Sequence, residues 1–363
     1  MKRPTLYCAV TGHGFGHAVR MASIAQQIQL LCPDVLLIMA TRSPRWLLES
    51  YIDGDFIYRP QALDVGVVQS DSLRMDIAGT LAQMTALYQG KDSLVRGEVN
   101  YLRNNQVDLV LADIPALATA IAHQAGVPCW LVGNFGWNFI YREWGQAFDD
   151  IVSHLEADYA QGDRLFRLPW AEPMTVFPHQ QEVGLTGGEP RYAEATLRAE
   201  LNWHAPSHRT ILLTFGGLGL AAIPYATLRF FPDWHFITFD AHAPAYPNLT
   251  VVQSKQYRPV DLMPFCNRVV SKPGFSTFAE ALRLEVPLVS LTRENFAEAP
   301  LLLEGLQDYG YHQIVTTEDF FTGQWDFLHQ SPLPPRQSQK LDPQGAKAIA
   351  EAVVNQLHSP AGS

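Results

Sequence analysis

Cysteine is scarce in this chain: four in 363 residues, at Cys8, Cys32, Cys129 and Cys266. None forms a CxxC pair, which argues against a zinc ribbon, a redox dithiol or a disulfide framework. Thiols flanked mostly by apolar residues read as buried and reduced, which points to a cytoplasmic protein. HExxH and clustered His/Cys spacings are missing too, and the one DxD pair, Asp53-Gly54-Asp55, reads better as a turn than as a metal site. No metal is therefore expected. A run of about 18 apolar residues is lacking, so no membrane-spanning helix is expected, while peripheral membrane contact stays open. The opening MKRPTLYCAV runs into a glycine loop without a cleavage site and reads as a first strand, not a signal peptide. Basic residues are outnumbered 26 to 36, for a net charge of −10, and an acidic surface disfavours non-specific nucleic-acid binding. No repeat occurs at a solenoid period and no tract is of low complexity. Nothing in the pattern specifies an oligomeric state.

What is present is core material: 47% of residues are hydrophobic and 17% charged, and a chain of this length is better divided into two domains than packed around one core. Strand-like and helix-like segments alternate. Residues 6–11, VLLIMAT (35–41), DFIYRP (55–60), VDLVLAD (107–113) and VPCWLVGNF (127–135) read as strands, with helices at 18–31, 75–104 and 115–126 between them. The pattern degrades over about 160–192, where LPWAEPMTVFPHQQEVGLTGGEP (168–190) is rich in proline and glycine and reads as a linker. Alternation then resumes with HRTILLTFGG, WHFITFD, LTVVQ, NRVVSKPG and VPLVSLTR, and DPQGAKAIAEAVVNQL (342–357) is a closing amphipathic helix. Continuous apolar strands alternating with helices imply parallel sheets covered on both faces. The expected fold class is α/β, two doubly wound Rossmann-like domains facing a cleft. The first spans 1–187, on the acceptor side, and the second 188–363, binding the nucleotide sugar and carrying the closing helix. Ligands of such sheets sit beyond the carboxyl ends of the strands.

The loop TGHGFGH after the first strand lacks the third glycine of a dinucleotide fingerprint, because His17 stands there. It also lacks the GK[ST] of a P-loop. The strand 35–41 ends in Thr41-Arg42, without the acidic residue that holds a ribose diol. His17, at the first turn of the following helix, is a candidate base, and a base needs a partner that fixes its tautomer. Asp113 ends the strand VDLVLAD and belongs to the same row of strand ends. The alternative is that both histidines merely hydrogen-bond the loop and Asp113 caps a helix. His13 stands between two glycines with little packing expected around it, and with Asn134 and Trp137 of the aromatic segment GNFGWNFIYREW (133–144) it is a candidate acceptor contact. In the second half, Gly216 and Gly217 and the segment Lys272, Gly274, Ser276, Thr277 each end a strand and are expected to precede a helix, a setting that suits a diphosphate. Plain helix capping by Ser276 or Thr277 is the rival reading. Glu280, one turn on, suits a ribose diol. Arg293, Glu294, Asn295 and Glu298 end another strand and either grip sugar hydroxyls or form a solvated loop.

These residues resemble a known family. The chain is similar to GT-B glycosyltransferases, in particular their MurG-like branch, and most of all to the glycosyltransferase-like N-terminal region of plant L-arabinokinases. There TGHGFGHATR compares with TGHGFGHAVR here, NFSWDFIY with NFGWNFIY and LNFGG with LTFGG, and the similarity runs to about residue 330. The galactokinase-like half of those proteins has no counterpart. The resemblance implies that His17 deprotonates an acceptor hydroxyl with support from Asp113, that Glu280 holds ribose, and that Glu294 and Asn295 replace a sugar-gripping glutamine pair. It implies an inverting, metal-independent hexosyltransferase-type enzyme. Its partners would be a nucleotide sugar, a UDP-sugar acting as co-substrate, and an acceptor, with no cofactor. A nucleotide-sugar epimerase and a non-catalytic nucleotide-sugar sensor are the alternatives.

Overall fold

The computed structural model describes residues 2–217, 219–220 and 222–359; the outermost residues of the expected domain spans, 1 and 360–363, lie outside the described residues. Seven strands form one sheet: β1 Thr5–Val10, β2 Leu36–Ala40, β3 Ile57–Arg59, β4 Leu109–Asp113, β5 Cys129–Gly133, β6 Arg164–Arg167 and β7 Gln180–Glu182. Six form a second: β8 Thr210–Leu213, β9 His235–Thr238, β10 Leu249–Val251, β11 Arg268–Ser271, β12 Leu288–Leu291 and β13 His312–Val315. The helices of the first half are α1 Gly16–Leu31, α2 Arg45–Glu49, α3 Ile77–Asn104, α4 Leu117–Ala125, α5 Trp137–Arg142 and α6 Asp149–Tyr159. Those that follow are α7 Glu194–Glu200, α8 Pro259–Leu262, α9 Phe275–Arg283, α10 Glu298–Tyr309, α11 Thr317–Phe321 and α12 Gly345–His358.

The strand orders are β3-β2-β1-β4-β5-β6-β7 and β10-β9-β8-β11-β12-β13, and the pairings between these strands are parallel. Both sheets thus reverse their winding once, between β1 and β4 and between β8 and β11, and a crevice opens where such a reversal occurs. β1, β4 and β5 are buried along their whole length, as expected of strands covered on both faces. The two doubly wound Rossmann-like halves expected from the alternation are therefore present.

Two features depart from the sequence reading. The stretch of degraded pattern holds two strands, β6 before the expected linker and β7 within it; β7 is an exposed edge strand, Gln180-Gln181-Glu182, with no apolar alternation to announce it. The closing helix also changes sides. One compact unit holds the chain up to Gln69, Met75–Gly187 and everything from Asp342 on, and the other holds Ser70–Arg74 and Gly188–Leu341. Ala346, Ile349, Ala350 and Val353 form the buried stripe of α12, and the helix packs on α1. The crossing back is stitched by Leu185 N–H to Asp342 O at 2.7 Å and Gly345 N–H to Leu185 O at 3.0 Å. Chain order alone assigned that stripe to the second half. In turn, Ser72 joins the second unit, its hydroxyl donating to Phe215 O at 2.7 Å.

Candidate functional site

The first unit gathers its polar side chains where β1 and β4 diverge. Asp113, the last residue of β4, lies in register with Val10, the last of β1, so the loop that follows β1 starts beside its carboxylate. Gly14 takes a left-handed φ of +66°, which turns that loop into α1. The helix carries His17 and Arg20 one turn apart on the same face. His17 Nδ1 lies 2.8 Å from Asp113 Oδ1. Arg20 donates to the same carboxylate through Nε at 2.7 Å and Nη2 at 2.6 Å, and through Nη1 to Asn134 Oδ1 at 3.1 Å. Its Nη2 is also 3.0 Å from His17 Nδ1. Asp113 is fully buried, and His17 is 9% exposed.

Burial by itself would raise the Asp113 carboxyl; the charges and hydrogen bonds of Arg20 and His17 outweigh it and hold the carboxyl below its ordinary value. An ionised carboxylate only accepts, so the hydrogen between it and His17 belongs to Nδ1, and Nε2 is left with the lone pair. The capping alternative for Asp113 falls away, since both of its carboxylate oxygens are engaged by side chains.

His13 is not the loosely packed residue its neighbouring glycines suggest. Its Nδ1 accepts the Val67 N–H at 3.2 Å, and its ring meets Trp137 edge-on at 5.2 Å. Gly66, at φ +63°, packs so tightly against it that a Cβ there would lie 2.6 Å from His13 Cβ. A neutral His13 accepting at Nδ1 carries its hydrogen on Nε2. The two histidines of one loop are thereby held in opposite tautomers. Asn134 and Trp137 are fully buried: Asn134 braces Arg20, and Trp137 packs 6.2 Å from the His17 ring. The Trp137 indole N–H donates to Asp64 Oδ2 at 2.8 Å. Arg20 and Asp64 went unnoticed in the sequence. Arg20 could have been found, three residues after His17 in a helix; Asp64 sits in the irregular segment after β3, where no pattern marks it.

In the second unit, Gly216 adopts a left-handed φ of +76° just after β8. Among the described residues no α-helix follows this turn; the next element is the 3-10 helix Tyr225–Phe230, so of the two glycine-bearing turns the one before α9 leads into an α-helix. There Gly274 is the N-cap and makes no side-chain cap bond, so Ser276 and Thr277 are not the caps. Lys272 runs between the two turns, its Cε at 3.8 Å from where a Gly216 Cβ would be. Burial pushes its ammonium down to about 7, with the Arg293 charge acting the same way and Glu298 opposing. Arg293 is likewise pushed down, to about 10, by burial against the pull of Glu298. Its Nε is buried without a hydrogen-bond partner, and its guanidinium lies 3.8 Å from the centre of the Phe296 ring. Buried cations with unsatisfied donors are costly, and an anion is the group that would satisfy them.

Glu298 turns inward beside this pair, while Glu294 and Asn295 of the same loop are exposed. Asn295 holds a left-handed φ of +57°. Glu280 is buried, and its Oε1 accepts the Gly188 N–H at 3.0 Å. Beside the β8 turn opens a cavity of about 600 Å³ lined by Thr214, Gly216, Gly217, Thr238 and Asp240 among others, a size that suits a small-molecule ligand. Among the described residues, no three His, Cys, Asp or Glu side chains converge as a metal site. Asp53 instead accepts from Gln26 Nε2 at 2.8 Å within its turn. Nor is any helix of the described residues long and apolar enough to cross a membrane.

No protein-family model matches the chain. It is 29% identical over 331 residues to the L-arabinokinase of Arabidopsis thaliana; the match covers 87% of this chain and 31% of that protein, so the chain spans about a third of its relative's length. Among solved structures it is similar to a UDP-glucose:anthocyanidin 3-O-glucosyltransferase in complex with UDP, at 11% identity and a TM-score of 0.62, with 99% of this chain and 96% of that one covered. Medicago truncatula UGT71G1 complexed with UDP-glucose gives 12% and 0.60, covering 98% and 99%. The glycosyltransferase VinC in complex with dTDP gives 17% and 0.56, covering 98% and 95%. The fold is therefore GT-B.

Proposed function

We propose that this protein transfers a sugar, with inversion and without a metal ion, from a nucleotide sugar to an acceptor hydroxyl. The observation that carries this reading is the His17–Asp113 contact of 2.8 Å on a GT-B fold. With its hydrogen on Nδ1, His17 presents Nε2 as a base. As the acceptor oxygen attacks the anomeric carbon, its proton passes to Nε2. The bond from that carbon to the diphosphate breaks, and its electron pair leaves with the nucleoside diphosphate. Attack from the face opposite the leaving group inverts the centre. General-base assistance of this kind contributes roughly 10²–10⁴-fold.

Lys272 and Arg293 supply the positive charge for the leaving diphosphate, the role a metal has elsewhere. Gly274 at the start of α9 adds backbone donors. A uridine diphosphate sugar is the donor we favour, by analogy with the UDP and UDP-glucose complexes of proteins that share the fold. Glu280 would be its ribose contact, as in the MurG-like branch. Buried, unbridged cysteines fit a cytoplasmic setting.

The test is incubation with labelled UDP-sugars, an acceptor panel and a chelator, reading labelled product and released UDP. Product that forms only with added metal would remove the metal-free mechanism. A sugar altered without any acceptor would point to an epimerase, and binding with no turnover on any acceptor to a sensor.

A further inference from the structure

The first unit holds a second carboxylate that this mechanism leaves unused. Asp64 lies just beyond β3, partly buried, with Oδ2 accepting the Trp137 indole N–H at 2.8 Å. The Thr11 hydroxyl bonds it as well, and the same hydroxyl oxygen receives the His13 amide N–H at 3.4 Å. Asp64 is thus tied both to the histidine loop and to the tryptophan whose ring packs against His13 and His17. The titratable groups around it are His17 on α1, Asp113 on β4, Tyr88 on α3, Tyr141 on α5 and Tyr159 on α6. His13 and Arg20 stand one contact further out. The three phenols are pushed up by burial, and Asp64 adds to that rise, so none of them offers it a positive charge. His17 does: its charge favours ionised Asp64, and Asp113 opposes it.

A carboxylate placed only to hold an indole N–H gains little from being ionisable, since an amide oxygen would accept that bond equally well. Burial pushes the Asp64 carboxyl up to about 6, against the hydrogen bonds from Thr11 and Trp137, and an ionisable group kept at such a cost beside a base marks functional placement.

We propose that Asp64 is a positioning residue for the proton transfer at His17: its carboxylate, fixed by Thr11 and the Trp137 indole, stabilises the imidazolium formed when His17 takes the acceptor proton. The acceptor O–H bond breaks, the proton goes to Nε2, and the oxygen keeps the electron pair that forms the new glycosidic bond. Asp113 neutralises the ring from the Nδ1 side together with Arg20, whose own positive charge offsets part of that help. Among the described residues no arginine or lysine pairs with Asp64, whose hydrogen bonds come from the uncharged Thr11 and Trp137. The inference rests on the reading of His17 as the base.

The test uses the full chain labelled with ¹⁵N-tryptophan. The Trp137 indole N–H resonance, assigned by its loss in Trp137→Phe or, should that variant not fold, in Trp137→Tyr, is followed across pH. It should titrate with a midpoint near 6 in the native protein and stay flat in Asp64→Asn. His17→Gln should raise that midpoint by about half a unit or more and Asp113→Asn should lower it. Asp64→Asn should also reduce kcat about tenfold, leave the donor KM nearly unchanged and alter the limb of the kcat/KM profile near pH 6. An indole midpoint indifferent to His17→Gln overturns the coupling, and unchanged turnover and pH profile in Asp64→Asn overturn the role. If the native chain transfers no sugar at all, the glycosyl-transfer reading fails and with it the catalytic role given to Asp64; the indole titration still reports separately whether the two residues are coupled.

Discussion

Two histidines four positions apart differ in what their neighbours make of them. Asp113 can only accept, so His17 keeps its hydrogen on Nδ1, whereas the Val67 amide can only donate, so His13 keeps its hydrogen on the far nitrogen. His17→Ala should therefore lower turnover by about a hundredfold or more and leave UDP affinity, measured by calorimetry, unchanged. His13→Ala should chiefly raise the acceptor KM. A variant pair with these effects exchanged would move the base to His13. Asp64 makes a separate prediction about stability. Its folded value of about 6 lies above the ordinary 3.8, so the folded state holds this proton more tightly than the unfolded one. The cost of ionising it is absent below about pH 4, grows between pH 4 and 6 and is fully present above. Asp64→Asn should match the native protein in chemical denaturation at pH 4 and exceed it at pH 8, by at most about 3 kcal/mol. Lys272 has the opposite chemistry. Its ammonium is pushed down to about 7, so much of it is neutral at pH 8, and a bound diphosphate would restore the charge. UDP binding at pH 8 should then take up a proton, read as a dependence of calorimetric heat on buffer ionisation enthalpy. The uptake should vanish at pH 6 and in Lys272→Met; heats that do not depend on the buffer at pH 8 would separate Lys272 from the phosphates.

Elements of this protein succeed or fail by which face they bury. α12 has an apolar stripe at i, i+3, i+4 and i+7, Ala346, Ile349, Ala350 and Val353, and a stripe of that kind needs a partner face. It finds one on α1, the helix that carries His17 and Arg20. Ending the chain at Leu341 should strip that face. Each large apolar side chain so exposed costs about 1.5–3 kcal/mol. The truncated chain should lose the first unit's melting transition and its acceptor-side activity while UDP binding to the second unit persists. A truncated chain that melts like the full one would show α12 to be dispensable. α9 carries a smaller test. Glu280→Ala removes the buried acceptor of the Gly188 amide, and an amide left unsatisfied costs about 1–3 kcal/mol. Glu280→Gln keeps an acceptor there and should recover most of that stability. If it does so without recovering UDP affinity, the charge acts on the ligand and not only on the chain.

Across the whole molecule, the sequence by itself determined the class of fold. Buried parallel strands are largely apolar, so β1, β4, β5, β8, β11 and β12 could be read directly, and the glycine-bearing segments after them marked the strand ends at which ligands are expected. It also singled out His17 and Asp113, because a histidine in place of a fingerprint glycine and an aspartate closing a buried strand are legible one residue at a time. β7 was not legible, since an edge strand facing water needs no apolar alternation. Tertiary structure alone decided the rest. That Arg20 completes the His17–Asp113 pair depends on the register of β1 with β4. The return of α12 to the first unit depends on the face α1 leaves for it. The meeting of Asp64 with Trp137 joins an irregular segment to the start of α5, 73 positions on. A local pattern carries the period of a strand or a helix; it carries nothing about which distant side chain will share a buried charge, because that is set by packing across the sheet.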